Sequence, residues 1–256
     1  MKLSIIQFDI SWENRSASLG RIEHFLDRLE PATELVILPE MFTTGFSMKP
    51  GELSEPPYSD TFHWMLNVSL KGNFGICGSY IVKDNNNFFN RWIMVTPDSR
   101  VWNYDKRHLF TMSGEEKAFT RGTSKITFTY KDTRICPNIC YDLRFPVWSR
   151  NMNDYDLLIN SANWPEKRHD VWLTLLKARA VENQCFVAGA NRVGIDGEGI
   201  RYRGDSLIIS PKGKILARGA HDTECIVTAD ISLKELSEFR KKFPVLGDAD
   251  NFTLLI

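Results

Sequence analysis

The stretch Glu34-Leu-Val-Ile-Leu-Pro-Glu40 sets a short, wholly apolar run between two glutamates. A strand exposed on one face alternates apolar and polar residues, whereas an unbroken apolar run suits a sheet covered on both faces. Pro39 stops the run, and Glu40 stands just beyond its carboxyl end. A second run of the same kind, Asp156-Leu-Leu-Ile-Asn160, lies in the other half of the chain and also leads into polar residues.

Working outward from Glu34–Glu40, Leu3–Ile10 reads as a strand. Asn14–Leu29 reads as a helix with Leu19, Ile22, Phe25, Leu26 and Leu29 on one face. Met41–Pro57, rich in Gly, Ser, Thr and Pro, reads as a loop. Asp60 caps a helix through Trp64 and Leu70. Strands follow at Phe74–Val82 and Asn90–Thr96, with a return strand from Val101. The second half reads as a hairpin (Lys125–Tyr130 with Thr133–Ile139), a short helix at Pro146–Met152, and the strand within Asp156–Asn160. Then come a long helix, Val171–Asn183, the strand Cys185–Ala190, two strands flanking Pro211-Lys-Gly213, the strand Cys225–Ala229 and a last helix, Leu233–Lys242. Each half gives a strand, a helix and further strands. The expectation is one α/β domain over residues 1–256, with sheets central and helices outside. No Gly-rich fingerprint follows the first strand, so a Rossmann reading is weak.

The totals narrow the function classes. In 256 residues, Lys plus Arg and Asp plus Glu both number 32, a balance that gives no general pull toward nucleic acid or anionic membrane. No apolar run approaches the length of a membrane span. The N-terminal MKLSIIQFDISWEN lacks the pattern of a secretion signal. Five cysteines at scattered spacing, 77, 136, 140, 185 and 225, argue against a disulfide framework and for a reducing, cytoplasmic setting.

In α/β folds, chemistry gathers at the carboxyl ends of strands. Three such ends carry ionisable groups: Glu40 after the first apolar run, Lys106 in WNYDKRHLF, and Cys140 in ICPNICYD. Taken singly, each has a plain reading: a solvent-facing carboxylate, a turn lysine, a small buried thiol. Together they form a base, a cation and a nucleophile. The carboxylate takes the thiol proton, the lysine stabilises negative charge developing on a carbonyl oxygen, and a thioester forms and is hydrolysed. Cys136 lies inside its strand before Pro137 and reads as filler at an irregular or edge stretch. A zinc site on Cys136 and Cys140 is poor, because the spacing is wrong and no second Cys pair exists. Nothing calls for a cofactor.

LPEMFTTGF, YDKRHLF and ICYDLRFPVWSR resemble the three signature regions of the carbon–nitrogen hydrolase (nitrilase) family, and WLTLLKARAVENQCFVAGANRVG resembles the family's next helix and strand. The likeness runs from Lys2 to about Phe243. It implies a four-layer α-β-β-α sandwich of two pseudo-equivalent halves, commonly a homodimer. It implies Glu40 as general base, Lys106 as electrophilic lysine, Cys140 as nucleophile and the Tyr141 backbone N–H as a second oxyanion donor. A second family glutamate fits Glu115, with Glu116 as runner-up. Arg144 lies where acid-acting relatives bring an arginine to the substrate carboxylate; its alternative is a structural bond to Asp142 or to carbonyls. Trp164 and Phe42 are candidate pocket walls, with core packing as the alternative for each.

Within that family, MFTTGFSM, DKRHLFTMSGEE and SANWPEKR look most like the bacterial omega-amidases. Their substrates would be small amides such as 2-oxoglutaramate or 2-oxosuccinamate. A nitrilase or N-carbamoyl amidohydrolase acting on another small acid is the alternative. The chain departs from the animal and yeast branch at Asn163–Arg168, which replaces a Thr/Gly-rich loop and alters the expected substrate shell.

Overall fold

The computed structural model describes residues 1–255. Two six-stranded sheets form its centre. The first contains β1 (Lys2–Gln7), β2 (Leu35–Ile37), β3 (Gly75–Asp84), β4 (Asn87–Val95), β5 (Val101–Asp105) and β14 (Cys225–Asp230), in the order β14-β1-β2-β3-β4-β5. The second contains β6 (Phe128–Tyr130), β7 (Thr133–Ile139), β8 (Leu157–Ala162), β9 (Phe186–Asn191), β12 (Leu207–Ile209) and β13 (Ile215–Arg218), in the order β13-β12-β9-β8-β7-β6. Each sheet has a parallel triplet at its heart, β1-β2-β3 or β7-β8-β9. One antiparallel strand flanks each triplet on one side and two on the other. The two halves are therefore built to one plan. A separate pair, β10 (Val193–Ile195) with β11 (Arg201–Arg203), was not apparent in the sequence.

Alternation along the short strands assembles the layers. Leu35 and Ile37 of β2, with Leu157 and Ile159 of β8, pack into one core between the sheets. Val36 and Leu38 face the other way, against Ile22 and Phe25 of α1 (Arg15–Leu26) and Phe62 and Met65 of α3 (Asp60–Gly72). Leu158 likewise turns outward, to Trp172, Leu176 and Ala180 of α5 (His169–Glu182). The result is the α-β-β-α sandwich, and it explains why these strands are apolar on both faces.

Local expectations are adjusted in five places. The helix expected to reach Leu29 ends at Leu26, because Arg28 and Leu29 N–H groups turn to carbonyls three residues back. The Met41–Pro57 loop contains a one-turn helix, α2 (Pro50–Leu53), with proline in its first turn. In the hairpin, only Phe128–Tyr130 of the first arm pairs. Among the described residues β7 therefore has β8 as its only strand partner from Cys136 onward, and Pro137 is tolerated there. Pro146–Met152 is a turn: Asn151 N–H donates to Asn183 Oδ1 (2.9 Å), which withholds it from the helical ladder. Helix α4 (Glu115–Ala118) is a single added turn, and α6 (Leu233–Lys242) lies as expected. Among the described residues no helix is long and apolar enough to cross a membrane.

Candidate active site

The carboxyl ends of β2, β5, β7 and β8 converge where the two sheets meet. Glu40 follows β2, Lys106 follows β5 directly, Cys140 follows β7 and Asn163 follows β8. Ser161 Oγ of β8 donates to Leu38 O (2.8 Å), and Asn163 Nδ2 donates to Glu40 O (2.6 Å). These bonds lock the two sheets together beside the site.

Lys106 is the hub. Its Nζ lies 2.7 Å from Glu40 Oε1 and 2.9 Å from both oxygens of Glu115. All three side chains are buried. Burial opposes the ammonium form, but Glu115 and Glu40 outweigh it and hold the Lys106 pKa above its ordinary value. Lys106 is thus a fixed cation and a poor base. Glu115, not Glu116, makes this contact. It also accepts the Phe110 N–H (2.6 Å). Burial pushes the Glu115 pKa up, with Lys106 pulling the other way.

Two asparagines missed by the sequence reading complete the cluster. Asn90 Nδ2 donates to Glu40 Oε1 (2.8 Å) and reaches Glu115 Oε1 (3.3 Å). Asn163 N–H donates to Glu40 Oε2 (2.9 Å). The available signal for Asn90 was an amide in register with Trp92 and Met94 on the apolar face of β4.

Cys140 is half-buried and has φ +44°, left-handed backbone that non-glycine residues seldom adopt. Such a residue costs about 1–3 kcal/mol and needs support from its surroundings. Asp142 provides it: fully buried, it accepts the Ile139 N–H (3.0 Å) on one side of the turn. Cys140 opens a short 3₁₀ helix, Cys140–Arg144, so Tyr141 lies in a first turn whose N–H groups lack intrahelical acceptors. Burial, and then the negative charge of Glu40, push the Cys140 thiol well above its ordinary pKa, with Lys106 opposing them.

Lys106, Cys140, Tyr141, Arg144 and Trp164 line one cavity of about 850 Å³. The Arg144 guanidinium lies over the Trp164 ring, 5.2 Å from its centroid. Asp142 does not pair with Arg144; it is taken up by Tyr104 and His108. Phe42 is corrected: it packs among Trp64 and Tyr80 in the core between the first sheet and its helices, so it is no pocket wall. Of the two phenylalanines after Glu40, Phe46 is the one that lines the cavity, with its ring 5.0 Å from Lys106 Nζ. Among the described residues no group of His, Cys, Asp and Glu is arranged to hold a metal ion.

Known proteins share this fold. Residues 2–241 match the carbon-nitrogen hydrolase family. The chain is 43% identical over 256 residues to the omega-amidase YafV of Escherichia coli strain K12, covering 99% of this chain and 98% of that one. It is 34% identical to the 2-oxoglutaramate amidase of Bacillus subtilis strain 168, over 96% of each. Its structure superposes with TM-score 0.96 on a carbon-nitrogen hydrolase superfamily protein of Xanthomonas campestris bearing an arsenic adduct in its active site, at 37% identity over 99% and 98% of the two chains.

Proposed function

The chain belongs to the carbon-nitrogen hydrolase family, and from that membership we propose an omega-amidase that cleaves the terminal amide of a small 2-oxo acid, 2-oxoglutaramate or 2-oxosuccinamate, to the diacid and ammonia. One observation carries the reading. Lys106 Nζ sits between Glu40 and Glu115 in the same cavity as Cys140 and an arginine, Arg144, that has no acidic partner among the described residues.

The steps follow from the charges. The resting thiol keeps its proton, because burial and Glu40 oppose the thiolate. Glu40 therefore removes that proton as Sγ bonds to the amide carbon. The displaced electron pair gathers on the carbonyl oxygen, where Lys106 Nζ and the Tyr141 N–H stabilise it. Glu115 and Asn90 hold Lys106 and Glu40 in place. When the C–N bond breaks, Glu40 returns the proton to nitrogen and ammonia leaves a thioester on Cys140. Water then gives its proton to Glu40 as it attacks. The C–S bond breaks, the acid departs and the thiol regains its proton.

Arg144 suits the carboxylate at the other end of the substrate, since its rigid fork pairs two oxygens at once. A reducing compartment such as the cytoplasm keeps such a thiol free. The test combines kinetics with intact mass. Ammonia release from 2-oxoglutaramate should exceed that from butyramide, and a substrate-derived acyl mass should appear on the wild-type chain and vanish in Cys140→Ala. Faster turnover of the neutral amide refutes the substrate, and full turnover by Cys140→Ala refutes the mechanism.

A further inference from the structure

The cavity has a second arginine that the reaction leaves unused. Arg168 lines the same cavity as Cys140 and Arg144. It ends the segment Asn163–Arg168, which follows β8 and begins with the asparagine bound to Glu40. The other basic residues of the lining are occupied or peripheral. Lys106 is held by Glu40 and Glu115, Lys49 pairs with Glu13 (2.9 Å), and Arg201 pairs with Glu166 and Asp222 (3.3 and 3.0 Å). Lys167 is exposed. Arg144 and Arg168 alone are partly buried, and among the described residues neither guanidinium has an ion-pair or hydrogen-bond partner.

Both arginines are nevertheless held in place. Arg144 lies over Trp164 and Arg168 over Phe110, each about 5 Å from the ring centroid, a geometry that positions a guanidinium without consuming its N–H donors. Trp164 serves both, because its ring carries Arg144 while its Nε1–H donates to Arg168 O (2.8 Å). Phe110 in turn donates its N–H to Glu115, so the platform under Arg168 is tied to the cluster around Lys106. Two forks of free donors, braced on aromatic rings in one cavity, call for a ligand with more acceptors than one carboxylate presents. A 2-oxo acid offers three adjacent oxygens, two on the carboxylate and one on the keto group.

Resting on the omega-amidase reading, we propose that Arg168 is a specificity-determining residue. With Arg144 it holds the 2-oxo-carboxylate end of the substrate while Cys140 takes the amide end. Arg144 pairs with the carboxylate, and Arg168 spans the keto oxygen and the nearer carboxylate oxygen. Loss of such charge-assisted contacts corresponds to a roughly 10- to 100-fold effect.

The experiment compares kcat/KM for 2-oxoglutaramate and for butyramide on one preparation of each protein, so that any unfolded fraction cancels in the ratio. Arg168→Met is expected to lower the acid-to-neutral ratio by about 10- to 100-fold, chiefly through KM for the acid. Arg168→Lys keeps the charge without the fork and is expected to lose part of the ratio. A wild type that prefers butyramide removes the omega-amidase reading itself. A wild type that prefers the acid, with the ratio unchanged within about threefold in either variant, overturns the role of Arg168 and leaves that reading standing.

Discussion

Two residues beyond Cys140, Asp142 accepts both the backbone N–H (2.9 Å) and the ring Nδ1–H (2.8 Å) of His108, itself two residues beyond Lys106. Its other oxygen takes the Tyr104 hydroxyl (2.7 Å) and the Ile139 N–H (3.0 Å). One buried carboxylate thus joins the loop that carries the cation to the turn that carries the thiol. His108 is further fixed by stacking on Phe145, with ring centroids 3.7 Å apart.

Asp142→Asn keeps the shape but turns one acceptor into a donor facing N–H groups. The Cys140 turn and the Lys106 loop should then drift relative to one another. A shift on the order of 1 Å costs about 100-fold in rate. Steady-state kinetics should show that fall in kcat, with KM for the amide much less affected. If kcat stays within about threefold of wild type, Asp142 is not what sets this geometry.

The sequence discloses this site unevenly, for physical reasons. Glu40 and Cys140 were legible because each follows a strand whose apolar pattern marks its end, and Lys106 because it follows the strand that returns from Val101. The sandwich was legible because β2 and β8 are apolar on both faces. Asn90, Asn163 and Asp142 were not, since their roles depend on which strands become neighbours. Asn163 meets Glu40 across 123 positions. Phe42 and Phe46 cannot be separated by residue type: only the turn after Glu40, with Met41 at φ +43°, decides which one faces the cavity. The β10–β11 pair escaped notice because its strands, VGI and RYR, each bury a single residue and so carry no apolar run.

Asn90 is the neutral side-chain donor of a cluster that sets two carboxylates on one ammonium. Asn90→Asp would add a third acidic group and take away the donor to Glu40. A buried charge left unpaired costs several kcal/mol, so the variant should melt at lower temperature and lose at least about 100-fold in kcat. Asn90→Ala, which removes the donor without adding charge, should lose less in both. Equal effects from the two variants would mean that charge balance is not the function of Asn90.

Far from the site, Asp156 joins the start of β8 to the last helix. It pairs with Arg134 and with Arg240 of α6, each at 2.7 Å. Burial raises its pKa, but the hydrogen bonds from Arg134 and the nearby guanidinium charges outweigh this and hold it below the usual carboxylate value. A depressed folded-state pKa contributes stability above the unfolded value, near 3.9 for Asp, and that contribution fades as pH falls through the folded value. Asp156→Asn should therefore be destabilising at pH 7, by about 1–3 kcal/mol for a part-buried charged hydrogen-bond cluster, read by urea unfolding. The gap to wild type should narrow steadily below about pH 4. A gap independent of pH would assign the loss to packing.

The protonated state of Cys140 gives the last prediction. Burial first, and Glu40 second, raise the thiol pKa, while Lys106 acts to lower it. Without substrate, iodoacetamide labelling of Cys140 should climb about tenfold per pH unit through pH 8 and 9 with no plateau, because the thiolate fraction rises in that proportion below the pKa. Glu40→Gln removes the opposing negative charge, so its labelling profile should move to lower pH even as turnover falls by about 10²–10⁴. Lys106→Met should move the profile the other way. That opposition separates the two readings of the nucleophile: a preformed thiolate would label at a constant rate below pH 8 and lose that rate when Lys106 is removed, whereas a thiol awaiting its base would label faster once Glu40 is neutralised.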